Sequence, residues 1–133
     1  MSGPRSAPPV PAWIAAQRTV VLRTRKRDGT WVPTPVSVVV VDDRVYFRTY
    51  DAAWKTRRIR NFPDVEFAPS TWRGRPTGDT LTARARLLSE EEARPVVAAL
   101  SRKYPVLHRV LVPFAHRRRG WRTLHYELTD VHG

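Results

Sequence analysis

The feature that most limits what this chain can fold into is a hairpin near its start. Val20–Lys26 alternates apolar and polar residues, Asp28-Gly29 supplies a tight turn, and Thr30–Val41 returns as a long strand. Aspartate followed by glycine between two such runs is a strong short-range hairpin signal, because the pair accepts the positive φ that the turn demands. Within the return strand Val38–Val41 is apolar without interruption, which predicts burial on both faces. Pro33 and Pro35 lie in the same strand. Proline has no N–H to give a ladder, so that half must be an edge or a bulge.

The pattern repeats downstream. Asp42-Asp43 is a second tight turn leading to Val45–Tyr50, and a helix over about 52–61 follows, with Asp51 as its N-cap. Phe62-Pro63 stops that helix, Val65–Trp72 resumes as strand, and Arg73–Asp79 is a loop. In Thr80–Leu88, Leu81, Ala83, Ala85 and Leu87 alternate with Thr82, Arg84 and Arg86, which places the arginines on the wet face. Ser89-Glu90-Glu91-Glu92 is a capping box opening a helix that turns Val96, Val97, Leu100 and Tyr104 inward. Pro105 ends it, His108–Arg118 reads as a second helical piece, and Trp121–Thr129 as the last strand. Residues 1–17 divide into a proline-rich arm and a short helix at Trp13–Gln17, leaving residues 18–130 as one domain. Six strands joined mostly by tight turns predict a mainly β, α+β fold: an antiparallel sheet closed into a small barrel with peripheral helices. Trp13, Trp31, Trp72 and Trp121 are expected in the core or a dimer interface.

Several functions are excluded early. There is no cysteine, so disulfides, thiolate zinc sites and cysteine nucleophiles are out. His108, His116, His125 and His132 lack i,i+4 pairing or nearby carboxylates, so no metal site is expected. No GxGxxG follows a strand and no GxxxxGK[ST] occurs, against Rossmann and P-loop nucleotide sites. No apolar run approaches the ~20 residues of a membrane span. The N-terminus lacks the apolar stretch of a signal peptide, and a cytoplasmic protein is expected.

The net charge of +12 calls for an anionic partner, although part of it reflects a preference for arginine over lysine. Its clustering is more informative. Lys55, Arg57 and Arg58 crowd the start of the 52–61 helix, with Arg48 at the end of the strand feeding it. A helix start is already electropositive, so cations there repel it unless an anion sits among them. Such a corner suits a phosphate. The bland reading is a solvated helix face, since the repulsion is only about 0.3–1 kcal/mol per charge. His116–Arg119 reads as a solvated helix end.

The order of these segments resembles a known family. Leu22-Arg23-Thr24, the Asp-Gly hairpin, Trp31-Val32-Pro33-Thr34-Pro35-Val36, Val45–Thr49, the helix Lys55–Asn61 and Pro63-x-Val65 are similar to the pyridoxamine 5′-phosphate oxidase-like split β-barrels. With Lys103–His108 and Trp121–Thr129, they look like the actinobacterial branch that uses the deazaflavin F420. The resemblance spans about residues 18–130 and rests on order and spacing rather than on one diagnostic motif. It implies a six-stranded antiparallel split β-barrel working as a homodimer with cofactor sites at the subunit interface. By that resemblance Arg48, Thr49, Lys55 and Arg58 hold the phosphate of F420 or FMN, and Thr34, Pro35 and Val36 border the ring. The Arg73–Gly78 loop, with Arg73 and Arg75, would complete the partner's pocket. One departure is Trp54, which stands where a small residue is expected and would either narrow the cofactor channel or stack on the ligand.

The implied activity is hydride transfer between reduced F420 and a conjugated small-molecule substrate. The cofactor carries that chemistry, so no conspicuous catalytic constellation is required, and no catalytic residue is singled out. Competing readings are an FMN-dependent oxidoreductase and a non-catalytic flavin, deazaflavin or tetrapyrrole carrier on the same barrel. A nucleic-acid binder rests on charge and aromatics alone, with no recognisable motif, and is not expected.

Overall fold

Turn chemistry sets the frame. In a computed structural model, whose described residues are 11–50, 54–104 and 123–133, Gly29 takes φ 91° and the Asp28 carboxylate accepts from the Thr30 N–H at 2.9 Å. Those residues join β1 (Thr19–Arg25) to β2 (Trp31–Val41). Asp42 and Asp43 both adopt left-handed backbone, φ 51° and 62°, and join β2 to β3 (Arg44–Tyr50). Aspartate tolerates that region because its short side chain bonds locally. Two hairpins thus lay down three antiparallel strands from local chemistry alone.

The remaining elements are α1 (Trp13–Ala16), α2 (Trp54–Asn61), β4 (Asp64–Pro69), β5 (Leu81–Leu87), α3 (Glu90–Lys103) and β6 (Thr123–His132). The six strands close into an antiparallel barrel in the order β1-β2-β3-β6-β5-β4. The expected fold class is therefore observed. Its interior is packed by inward positions two apart: Val20 and Leu22, Val36 and Val38, Val45 and Phe47, Ala83 and Ala85, Tyr126 and Leu128. Outside the barrel, α3 covers β2 and β3 through Val96 and Leu100, which pack with Val39, Val41 and Tyr46. Of the apolar run, Val38 and Val39 are thereby buried on opposite faces, while Val40 and Val41 are half-buried. The capping box forms as read, with Glu92 N–H to Ser89 Oγ at 3.1 Å and Ser89 N–H to Glu92 Oε1 at 2.9 Å.

The two prolines resolve as an edge. Pro33 pairs with Arg23 and Pro35 with Val21 in unbroken register, so there is no bulge there. Pairing of β2 with β3 begins only at Ser37, which leaves Trp31–Val36 free along that side. At the far end of β1 the open Val38 carbonyl is taken by Lys103 Nζ at 2.8 Å and the Tyr104 hydroxyl at 2.8 Å.

Some expectations need correcting. β4 stops at Pro69 rather than Trp72, because Ser70 bridges Pro76 in a tight turn; Trp72 is 74% exposed and not a core residue. Leu87 keeps the inward phase of β5 but lies at the barrel's end, 52% exposed, and Leu88 is buried instead. Val97 falls between the buried positions Val96 and Leu100 and is exposed. The Asp51 cap, the arm over 1–10, the Pro105 break, the 108–118 helical piece with His116–Arg119, Trp121 and the side chain of Trp54 lie outside the described residues.

Candidate functional site

α2 crosses one end of the barrel, with Ile59 in the core and Thr56 buried beside it. Residues three and four apart share a helix face. Thr56, Ile59 and Arg60 accordingly face β5 and β6, whereas Arg57, Arg58 and Asn61 face the β1–β2 hairpin. On the hairpin side is a cavity of about 570 Å³ lined by Arg25, Lys26, Arg27, Arg57, Arg58 and Asn61. Five of these six side chains are cationic and none is acidic.

Two of the cations are held in place by named contacts. Arg58 Nε donates to Thr24 Oγ1 at 2.6 Å, and Thr24 is an inward residue of β1 only 1% exposed. The Arg25 guanidinium lies 4.6 Å from the centre of the Trp31 ring, a cation–π arrangement. The buried Nε of Arg25 has no hydrogen-bond partner among the described residues. Burial pushes Arg58 below its ordinary pKa; burial, and then the Arg58 charge, do the same to half-buried Lys55. Five cations around one cavity, one of them partly desolvated, with an orphaned donor among them, are matched by an anion with several acceptor oxygens. The donor set fits a phosphate.

The residues singled out from the sequence divide into three places. Lys55 and Arg58 come together on α2, and Arg58 lines the cavity. On β3, Thr49 continues the inward phase of Phe47 and is buried, but Arg48 faces outward, opposite His125 in register, and its charge acts on Tyr104. Strand alternation thus turns Arg48 to the outer face of β3, opposite to Thr49. Thr34 and Val36 are inward positions on the free half of β2, and Thr34 stands across from Leu22, one inward position before Thr24. Pro35 is exposed on the outer face, where a β-carbon added at Gly74 would lie 3.4 Å from its Cδ. The loop carrying Arg73 and Arg75 is therefore seated on β2 of its own chain. Internal bonds order it: Gly74 N–H to Thr71 O at 2.8 Å, Thr71 N–H to Arg75 O at 2.9 Å and Thr77 N–H to Pro69 O at 2.8 Å. Both arginines are exposed, and Arg73 stacks 4.7 Å from the Trp72 ring.

Arg25, Lys26, Arg27 and Asn61 were not anticipated. The signal was present as three consecutive cations before Asp28-Gly29, two of them inside the Val20–Lys26 run read as a strand. Arg84 and Arg86 are the wet face expected, paired with Asp64, Glu92 and Glu127. Among the described residues no cluster of histidine and carboxylate side chains is arranged to hold a metal. No helix among them is long and apolar enough to cross a membrane.

No family model matches the sequence and no curated protein matches it. Solved structures do. A protein of unknown function from Agrobacterium tumefaciens aligns with TM-score 0.66 at 20% identity over 95% of this chain and 60% of its own, so the chain spans about three-fifths of that protein. A heme storage protein from Vibrio cholerae aligns with TM-score 0.63 at 15% identity over 88% of this chain and 84% of its own. A candidate pyridoxamine 5′-phosphate oxidase from Listeria innocua aligns with TM-score 0.59 at 13% identity over 89% of this chain and 87% of its own. These neighbours are split barrels of the pyridoxamine 5′-phosphate oxidase type, and what the chain shares with them is the fold.

Proposed function

We propose that the chain is an oxidoreductase of the split-barrel type that holds deazaflavin F420 by its phosphate in the cavity beside α2 and works as a homodimer. The observation that carries this reading is the five-cation lining, with Arg58 pinned by Thr24 and the Arg25 Nε left without a partner. When bound, the cofactor supplies the hydride exchanged with a conjugated small-molecule substrate.

The chain's own residues bind and orient. Arg58 and Arg25 are held by Thr24 and Trp31 before any ligand arrives, so little side-chain freedom is lost on binding. Lys55, half-buried, adds a cation whose attraction for an anion is strengthened by its partial removal from water. The free side of Trp31–Val36 leaves backbone groups unclaimed by β3 and open to a ring edge near Thr34, Pro35 and Val36. Arg73 and Arg75, exposed on an ordered loop, would reach a second subunit's site. The Thr56–Ile59 face of α2 closes the barrel end against water.

FMN carries the same phosphate, so the test titrates F420 and FMN side by side while fluorescence is monitored. The expected result is quenching of F420 at micromolar protein, weakened in Lys55→Ala and Arg58→Ala. Tighter binding of FMN would exchange the cofactor and keep the site. Binding of F420 without turnover across a substrate panel would make the protein a carrier. No binding of either at low salt overturns the proposal.

A further inference from the structure

A second pocket opens on the opposite side of α2. Thr56, Ile59 and Arg60 form one wall and Leu87, Leu124 and Tyr126 the other, around about 200 Å³. Its chemistry is divided between an apolar body and two polar ends. Leu87 contributes a large apolar side chain left half in water at the rim, which an apolar ligand would cover. Tyr126 is fixed by stacking on Phe47, with ring centres 5.1 Å apart and planes within 6°. It is 4% exposed overall and lines the pocket, and its hydroxyl is not one of the fully enclosed polar atoms left without a partner, so the oxygen is reachable from the pocket. A reachable phenol hydroxyl on an apolar wall can donate to an acceptor seated there. Burial pushes the Tyr126 pKa up, with the Arg60 charge opposing in part, so the phenol is a protonated donor at neutral pH. Arg60 supplies a permanent cation beside it.

We propose that this pocket binds a small organic monoanion, an aryl or short alkyl carboxylate. Its apolar body packs against Ile59, Leu87 and Leu124, and its carboxylate accepts from Arg60 and the Tyr126 hydroxyl. The volume limits the ligand to one ring or a chain of a few carbons, because drug-sized ligands occupy about 300–1,000 Å³. The site is separate from the phosphate cavity, since helical spacing puts its α2 residues on the other face.

The test uses the full chain, with benzoate and hexanoate as probes and benzamide and hexanamide as their uncharged counterparts, followed by amide chemical shifts and calorimetry. The carboxylates are expected to shift Ile59, Leu87 and Leu124 and to bind about tenfold more tightly than the amides. Arg60→Gln should abolish that advantage, whereas Arg57→Gln, the same change in net charge on the other face, should keep it. Tyr126→Phe keeps the stack on Phe47 and should weaken benzoate severalfold. Lys55→Ala, which weakens the phosphate cavity, should leave benzoate binding intact, so the two sites fail separately. Shifts confined to Arg57, Arg58 and Asn61, equal binding by wild type and Arg60→Gln, or no shift at millimolar benzoate would each overturn the proposal.

Discussion

Arg58 Nε and Thr24 Oγ1 meet at 2.6 Å, joining the helix that closes the barrel to the first strand of its wall. The contact links residues 34 positions apart and aims a guanidinium that would otherwise swing free. Thr24→Val keeps the shape of the buried side chain and removes the acceptor. It is expected to lower stability by about 1–3 kcal/mol, since the bond from a charged, half-buried donor is lost. Urea denaturation measures this, and phosphate affinity should fall with it; an unchanged midpoint would show that the bond does not anchor α2.

Lys55, next to Arg58 on α2, would give anion binding beside that helix a pH dependence. Burial and Arg58 depress its pKa in the folded chain, so between that value and an ordinary lysine's the unfolded chain binds more protons. This group's contribution to stability therefore rises with pH through that window. Anion binding runs the other way, because the ligand needs the ammonium. Affinity for phosphate should fall on the alkaline side earlier than free lysine would dictate, and Lys55→Gln should flatten the profile. Binding titrations over the alkaline range decide it.

The capping box at α3 is local and its loss should be local too. Ser89→Ala removes the acceptor for the Glu92 N–H and is expected to reduce stability by about 1 kcal/mol. The denaturation midpoint should drop while ligand affinities stay unchanged.

Gly74 combines φ 88° with contact on Pro35. A β-carbon there strains the left-handed backbone by about 1–2 kcal/mol and presses on the proline ring. Gly74→Ala should displace the Arg73–Arg75 loop from β2. Amide shifts at Thr71 and Arg75 would register the movement, and their persistence unchanged would show that the loop is seated by its own hydrogen bonds alone.

Much of this was readable from residue order. Asp28-Gly29 and Asp42-Asp43 each specify a turn through backbone preference, and Ser89 with Glu92 specifies a helix start through two reciprocal bonds. Alternation on β5 assigned Arg84 and Arg86 to water correctly. It failed at Leu87 because the inward phase does not say where the barrel ends. At Arg48 alternation fixes only the face: the side chain points away from the barrel interior while its neighbour Thr49 points in.

Local chemistry alone determined the turns, the caps and the sidedness of each strand, since those depend on residues within a few positions of one another. Closure of the barrel decided the rest. Bringing the Arg25–Arg27 hairpin against Arg57 and Arg58 joins segments about 30 residues apart, and only the β1–β2 register together with the lie of α2 across the barrel end puts those charges around one cavity. The two unlike pockets flanking α2 follow from the same geometry, because a helix laid over an opening presents one face to each side of it.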